Sequence, residues 1–118
     1  MKSELKRLIS YISCCLINNK KYTKIFSYKD NKFYFYSFNS SNVYDYDRSS
    51  FSSISKLTNN NYNIYDMKIG NFITLKLQGN NFSGYDYNTS SFFNGNIQGS
   101  IVTFYSMLDS QYIRFSLA

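Results

Sequence analysis

The chain has 118 residues, with 13 Tyr and 11 Phe, no His, Pro or Trp, and a formal net charge of +6. That length supports one domain with a single core. The missing His removes the usual general base, the usual activator of a Ser or Cys nucleophile and the commonest zinc ligand. Two adjacent cysteines, Cys14 and Cys15, exclude a disulfide framework and point to reduced thiols.

Lys outnumbers Arg ten to three, and the one Ala is Ala118. A/T-rich coding produces this bias, so part of the 20% aromatic content reflects codon usage rather than a binding surface. Residues 1 to 32 carry eight basic side chains against Glu4 and Asp30, which accounts for the whole net charge. Such a segment steers a domain toward phosphates, anionic lipid or an acidic protein surface.

Residues 3 to 18 have helical periodicity, with Leu5, Leu8, Ile9, Ile12, Cys15 and Leu16 on one stripe and Lys2, Lys6, Ser10 and Ser13 opposite it. Ser3 is the expected N-cap, and Asn18-Asn19 suits a left-handed C-cap. The stripe is expected to pack on a sheet. Basic residues before the apolar run Leu8 to Ile17 imitate a secretory signal, but Glu4 interrupts them and no cleavage site follows. The run is also well short of the ~20 residues a spanning helix needs. The reading is a soluble, cytoplasmic protein with no membrane partner.

From Lys21 the period becomes two, and strands are expected to pair across short turns at Asp30-Asn31, Gly70-Asn71 and Asp109-Ser110. A two-residue turn at Asp109-Ser110 places Phe104 opposite Phe115 and Val102 opposite Leu117. The middle hairpin sorts Ile64, Ile73, Leu75 and Leu77 to one face and Thr74, Lys76 and Gln78 to the other. Both faces of the first hairpin are aromatic. Phe26, Tyr28, Phe33 and Phe35 are expected in the core, leaving Ile25, Tyr34, Tyr36 and Phe38, which share a face with Lys29 and Lys32, toward solvent.

Tyr44-Asp45-Tyr46 returns as Tyr85-Asp86-Tyr87, so one unit of about 40 residues recurs. In both copies Tyr is expected inward and Asp outward, after Asn/Ser-rich loops at 39 to 42 and 79 to 81. Residues 49 to 57 are ambiguous, because Phe51, Ile54 and Leu57 are spaced like one face of a short helix while the matching Phe92 to Gly95 is a turn former. The fold class is therefore α+β: an N-terminal amphipathic helix packed on a twisted antiparallel sheet of repeated β-hairpins, with a closed roll or three-fold β arrangement as the alternative. The single domain, 1 to 118, divides into a helix (1 to 20), hairpin repeats at 21 to 61 and 62 to 100, and a C-terminal hairpin from 101 to 118.

Catalytic chemistry is sparse. Nineteen Ser have no His to activate them, and the chain carries no Gly-rich phosphate loop, Cys-x-x-Cys pair or dinucleotide fingerprint. Asp45, Asp47 and Asp86 are the one carboxylate set worth weighing for a divalent cation. No cofactor, metal site or enzymatic activity is expected. Instead Lys29, Lys32, Tyr34 and Tyr36 are expected to centre a partner-binding surface, in which Tyr supplies contact area and Lys supplies charge. The leading expectation is a stoichiometric inhibitor or adaptor encoded by a phage or other mobile element. It would act on a host protein or nucleoprotein complex, such as a CRISPR effector of host defence. Alternatives are a single-stranded RNA or DNA binder and an Asp- and metal-dependent enzyme.

Overall fold

The computed structural model describes residues 1–39 and 41–118. Helix α1 (Ser3–Asn18) is followed by β1 (Lys24–Ser27), β2 (Lys32–Asn39), β3 (Asn42–Asp45), β4 (Ser50–Thr58) and β5 (Asn61–Asp66). Strands β6 (Asn71–Gln78), β7 (Asn81–Asp86), β8 (Ser91–Gln98), β9 (Ile101–Ser106) and β10 (Gln111–Leu117) complete the chain. Each strand pairs antiparallel with the next, and β1 pairs β10, so the sheet closes into a ten-stranded barrel. The loop 39 to 42 includes residue 40, which lies outside the described residues.

A repeated turn builds one end of this barrel. Four-residue turns occupy 28–31, 46–49, 67–70, 87–90 and 107–110. The last residue of each is left-handed: Asn31, Ser49, Gly70, Ser90 and Ser110 have φ between 50° and 74°. The residue before each turn is Ser27, Asp45, Asp66, Asp86 or Ser106, and all five are buried. Their side-chain oxygens accept backbone N–H groups of the turn, as when Asp66 Oδ1 accepts from Lys68 at 3.1 Å and Ile69 at 3.0 Å. Asp and Ser are therefore placed inward because each caps its own turn. This corrects the expectation that the Tyr of Tyr-Asp-Tyr faces inward. It also halves the repeat: the capping residues recur about every 20 positions, so the 41-residue echo spans two units.

A barrel of about eight strands is just filled by its own side chains, whereas ten strands leave room at the centre. Helix α1 takes that room. Leu5 through Cys15 are buried without a break, including Lys6, Arg7, Ser10 and Ser13, which is possible only for a helix enclosed on every side. Lys6 and Arg7 are 3% and 4% exposed, so the polar stripe read as solvent-facing lies inside. At the first end of α1, Lys6 Nζ meets Asp109 Oδ2 at 2.7 Å; at the last, Asn18 donates to the Gly99 carbonyl at 2.8 Å. The helix thus runs between the barrel's two rims. Its N-cap is Lys2 rather than Ser3, and Asn19 forms the left-handed C-cap (φ 50°).

The helix lies nearest β9, β10 and β1. Much of the remaining space is filled by Phe82, Phe93 and Phe104, the last two stacked at 5.4 Å. Gly84 and Gly95 make this possible, since a Cβ at 95 would collide with the Phe82 ring and one at 84 with the Thr74 carbonyl. Phe92 to Gly95 accordingly belongs to a strand, not a turn, and residues 50–58 are strand as well.

Candidate functional site

In the first hairpin the expected faces are reversed. Ile25, Tyr34 and Tyr36 point into the barrel, while Tyr28, Phe33 and Phe35 are exposed. The helix decides the matter, because it brings polar partners for phenol groups that an apolar core could not satisfy. Arg7 Nε donates to Tyr36 Oη at 2.9 Å, and the Arg7 guanidinium lies 3.6 Å over the Tyr34 ring. Tyr36 also stacks on Tyr11 at 4.5 Å, and Tyr11 donates to the Tyr22 carbonyl. Phe cannot make the hydrogen bonds and is left outside. Burial pushes the Tyr36 phenol well above its ordinary pKa, and burial with the Asp30 hydrogen bond raises that of Tyr34.

The four residues expected to form one exposed binding patch are therefore divided between inside and outside, although Lys32 Nζ stays 4.8 Å from the Tyr34 ring centroid. Lys29 is exposed in the first turn, and Lys32 lies at the same rim, 3.9 Å from Asp47. Tyr36, at 2% exposure, has its ring wholly inside the barrel, and Tyr34 is nearly as buried.

Outside the barrel a different surface is formed. Where each four-residue turn begins, two aromatic residues face each other across the ladder: Phe26 with Phe33, Tyr44 with Phe51, Tyr65 with Phe72, Tyr85 with Phe92 and Tyr105 with Tyr112. Ring centroids in these pairs lie 4.6–4.9 Å apart. The next outward residue adds Tyr28, Tyr46 or Tyr87 to three of the pairs and Met67 or Met107 to the other two. These contacts strap each hairpin near its turn, as cross-strand aromatic pairs do. Tyr44 and Tyr85 occupy equivalent places, each opposite a Phe and edge-on to a Tyr.

On β2, Phe35, 53% exposed, extends the aromatic surface beyond the girdle and stands beside the girdle residue Tyr46, 58% exposed. Together with Lys21, Thr23 and Ser37 they line a groove of about 560 Å³. Lys24 Nζ lies 4.8 Å from the Phe33 centroid. Exposed Lys20 and Lys21 stand at the rim where the helix ends and exposed Lys29 and Lys32 at the turn rim, whereas Lys6 and Arg7 are spent inside. The basic N-terminal third is thus divided into an inner part that holds the helix and an outer part that remains available.

The charged interior leaves little free chemistry. Arg48 Nε and Nη2 bind Asp45 and Asp66, each at 2.7 Å, and Asp86 accepts from Thr89 at 2.8 Å and from the Asn88 amide. Asp47 lies in an exposed turn, and its carboxylate, like that of Asp45, faces the Arg7 guanidinium, at 3.5 Å and 3.8 Å respectively. Among the described residues no three or more Asp, Glu or Cys side chains are grouped so as to hold a metal ion. Burial pushes the thiols of Cys14 and Cys15 up to about 12 and about 11, which disfavours nucleophilic thiolate. Among the described residues, no helix is long and apolar enough to cross a membrane.

Comparisons with protein-family models, curated proteins and solved structures return no match.

Sequence reasoning assigned the two faces of the first hairpin the wrong way round, sorting Phe33 and Phe35 inward by hydrophobicity and Tyr34 and Tyr36 outward. The signal that could have set them right is the buried Arg7, which needs a phenol oxygen rather than a phenyl ring opposite it.

Proposed function

We propose that this chain is a non-enzymatic binding protein, a small stoichiometric inhibitor or adaptor that engages a host protein or nucleoprotein complex through the outer face of β1 to β4. The observation that carries the reading is the exposure of Phe35 and Tyr46 in the groove that Lys21 also lines, an aromatic anchor beside exposed cations. Aromatic residues of this kind dominate protein interfaces, and rim lysines favour an acidic counterpart. A closed barrel offers no free strand edge, so the partner is held by side chains and not by strand addition. Small size, A/T-rich coding and the absence of His fit an inhibitor carried by a phage or mobile element against a host defence complex such as a CRISPR effector.

A second reading, a single-stranded RNA or DNA binder, is favoured by the same groove. Its aromatic walls can stack bases while Lys21 meets phosphate. Affinity capture from host extract separates the two. A stoichiometric protein partner, lost with the double variant Phe35→Ala/Tyr46→Ala, supports the first reading. Nuclease-sensitive material that raises the 260/280 ratio supports the second, a sensitive readout in a protein without Trp. Capture unaffected by the double variant places the site elsewhere.

A further inference from the structure

A second groove, of about 600 Å³, crosses the outer wall from the end of β4 to β8. Three local features build it. A register shift between Lys56 and Thr58 disturbs the β4 ladder, and Leu57 there is left 58% exposed. The short side chains of Thr74, Ser83 and Asn94 form its floor across β6 to β8. Phe92 and Met107, both exposed, close the groove on the far side.

The lining is mostly apolar, with Leu57, Tyr62, Tyr85, Phe92 and Met107 as walls and Lys76 as its only charged residue. No carboxylate lines the groove, and the ion pairs among the described residues all involve other side chains. An apolar cleft of this volume with one unpaired cation matches a small molecule that has an apolar body and one anionic group. We infer that this groove is a binding site for an amphipathic organic anion, its hydrocarbon or aromatic part against Leu57, Tyr85 and Phe92 and its carboxylate or sulfonate at Lys76. The site shares no lining residue with the groove beside Phe35 and Tyr46.

The probes are decanoate and 8-anilinonaphthalene-1-sulfonate, titrated into the folded protein at pH 7 and read by heteronuclear NMR shifts and by fluorescence. The expected result is saturable one-site binding of both, with shifts centred on Lys76, Tyr85 and Phe92 and mutual competition. Lys76→Glu should weaken both at least tenfold while decanol, the uncharged analogue, is little affected. Leu57→Asp should weaken all three ligands, and Tyr46→Ala, in the other groove, none. Absence of saturable binding at millimolar decanoate overturns the inference. So does binding that Lys76→Glu and Leu57→Asp leave unchanged in variants whose melting temperature matches the parent.

Discussion

Arg48 Nη2 donates to Asp66 Oδ2 at 2.7 Å inside the barrel, tying the turn after β3 to the end of β5. The same guanidinium holds Asp45 through Nε, so one cation fixes two of the five turn-capping residues. Burial opposes its charge, but the bonds to Asp66 and Asp45 outweigh that and hold it firmly protonated. Removing it leaves two buried carboxylates short of a partner. Arg48→Met is expected to cost about 3 to 5 kcal/mol, measured from the urea midpoint with the slope checked for two-state behaviour. A loss below about 1 kcal/mol would mean that Arg7 and the turn amides already suffice.

Acid should unfold the protein from the turn end. Burial opposes ionisation of Asp66, but Arg48, the Ile69 amide and Ser52 outweigh it and lower its pKa. Asp109 is held well below the usual carboxylate range by Lys6, Ser106 and the N-terminal amine. A lowered folded-state pKa means that the unfolded chain binds more protons. The stabilisation is therefore complete above the unfolded carboxylate value of about 4 and is lost as pH falls through the folded values. Urea midpoints should be level from pH 7 to 5 and fall progressively below about pH 4. An unchanged midpoint at pH 3 would show that these ion pairs contribute nothing net.

Tyrosine accessibility reports directly on which face is outside. Brief treatment with tetranitromethane, followed by peptide mapping, should nitrate Tyr28, Tyr46, Tyr87 and Tyr112 and spare Tyr11 and Tyr36. Nitration of Tyr36 in the folded protein, at a rate like that of Tyr46, would overturn the barrel's inside-out assignment of the first hairpin.

Much of the fold was legible where only one arrangement was compatible with the pattern. The helix and the two faces of the middle hairpin follow from periodicity, and Ile64, Ile73 and Leu75 are buried while Lys76 and Gln78 are exposed. In the last hairpin the turn is four residues long rather than two. Phe104 therefore pairs with Ile113, and Val102 with Phe115. That slip of two residues kept every side chain on its expected face, since strand faces repeat every second residue.

Two misreadings share one cause. A helix was expected on the sheet, so its polar stripe and the tyrosines of the first hairpin were sent to solvent. Barrel closure depends on β1 meeting β10 across the length of the chain, which no local pattern encodes. Once closed, the barrel encloses Lys6 and Arg7, and these select Tyr36 inside the barrel and Asp109 at its rim as partners. The inward Asp45 and Asp86 were misjudged for a related reason: their charge is compensated by turn amides, Arg48 and Thr89, contacts that residue-by-residue polarity does not register.

The central claim, that the outer aromatic and lysine face of β1 to β4 holds the partner, is tested most directly by titration calorimetry of the captured partner against single variants. Phe35→Ala and Tyr46→Ala are each expected to weaken binding by 2 kcal/mol or more, about thirtyfold, with the melting temperature preserved. Lys21→Ala and Lys24→Ala should act mainly on association rate and salt dependence. Wild-type affinity in both aromatic variants would contradict the account.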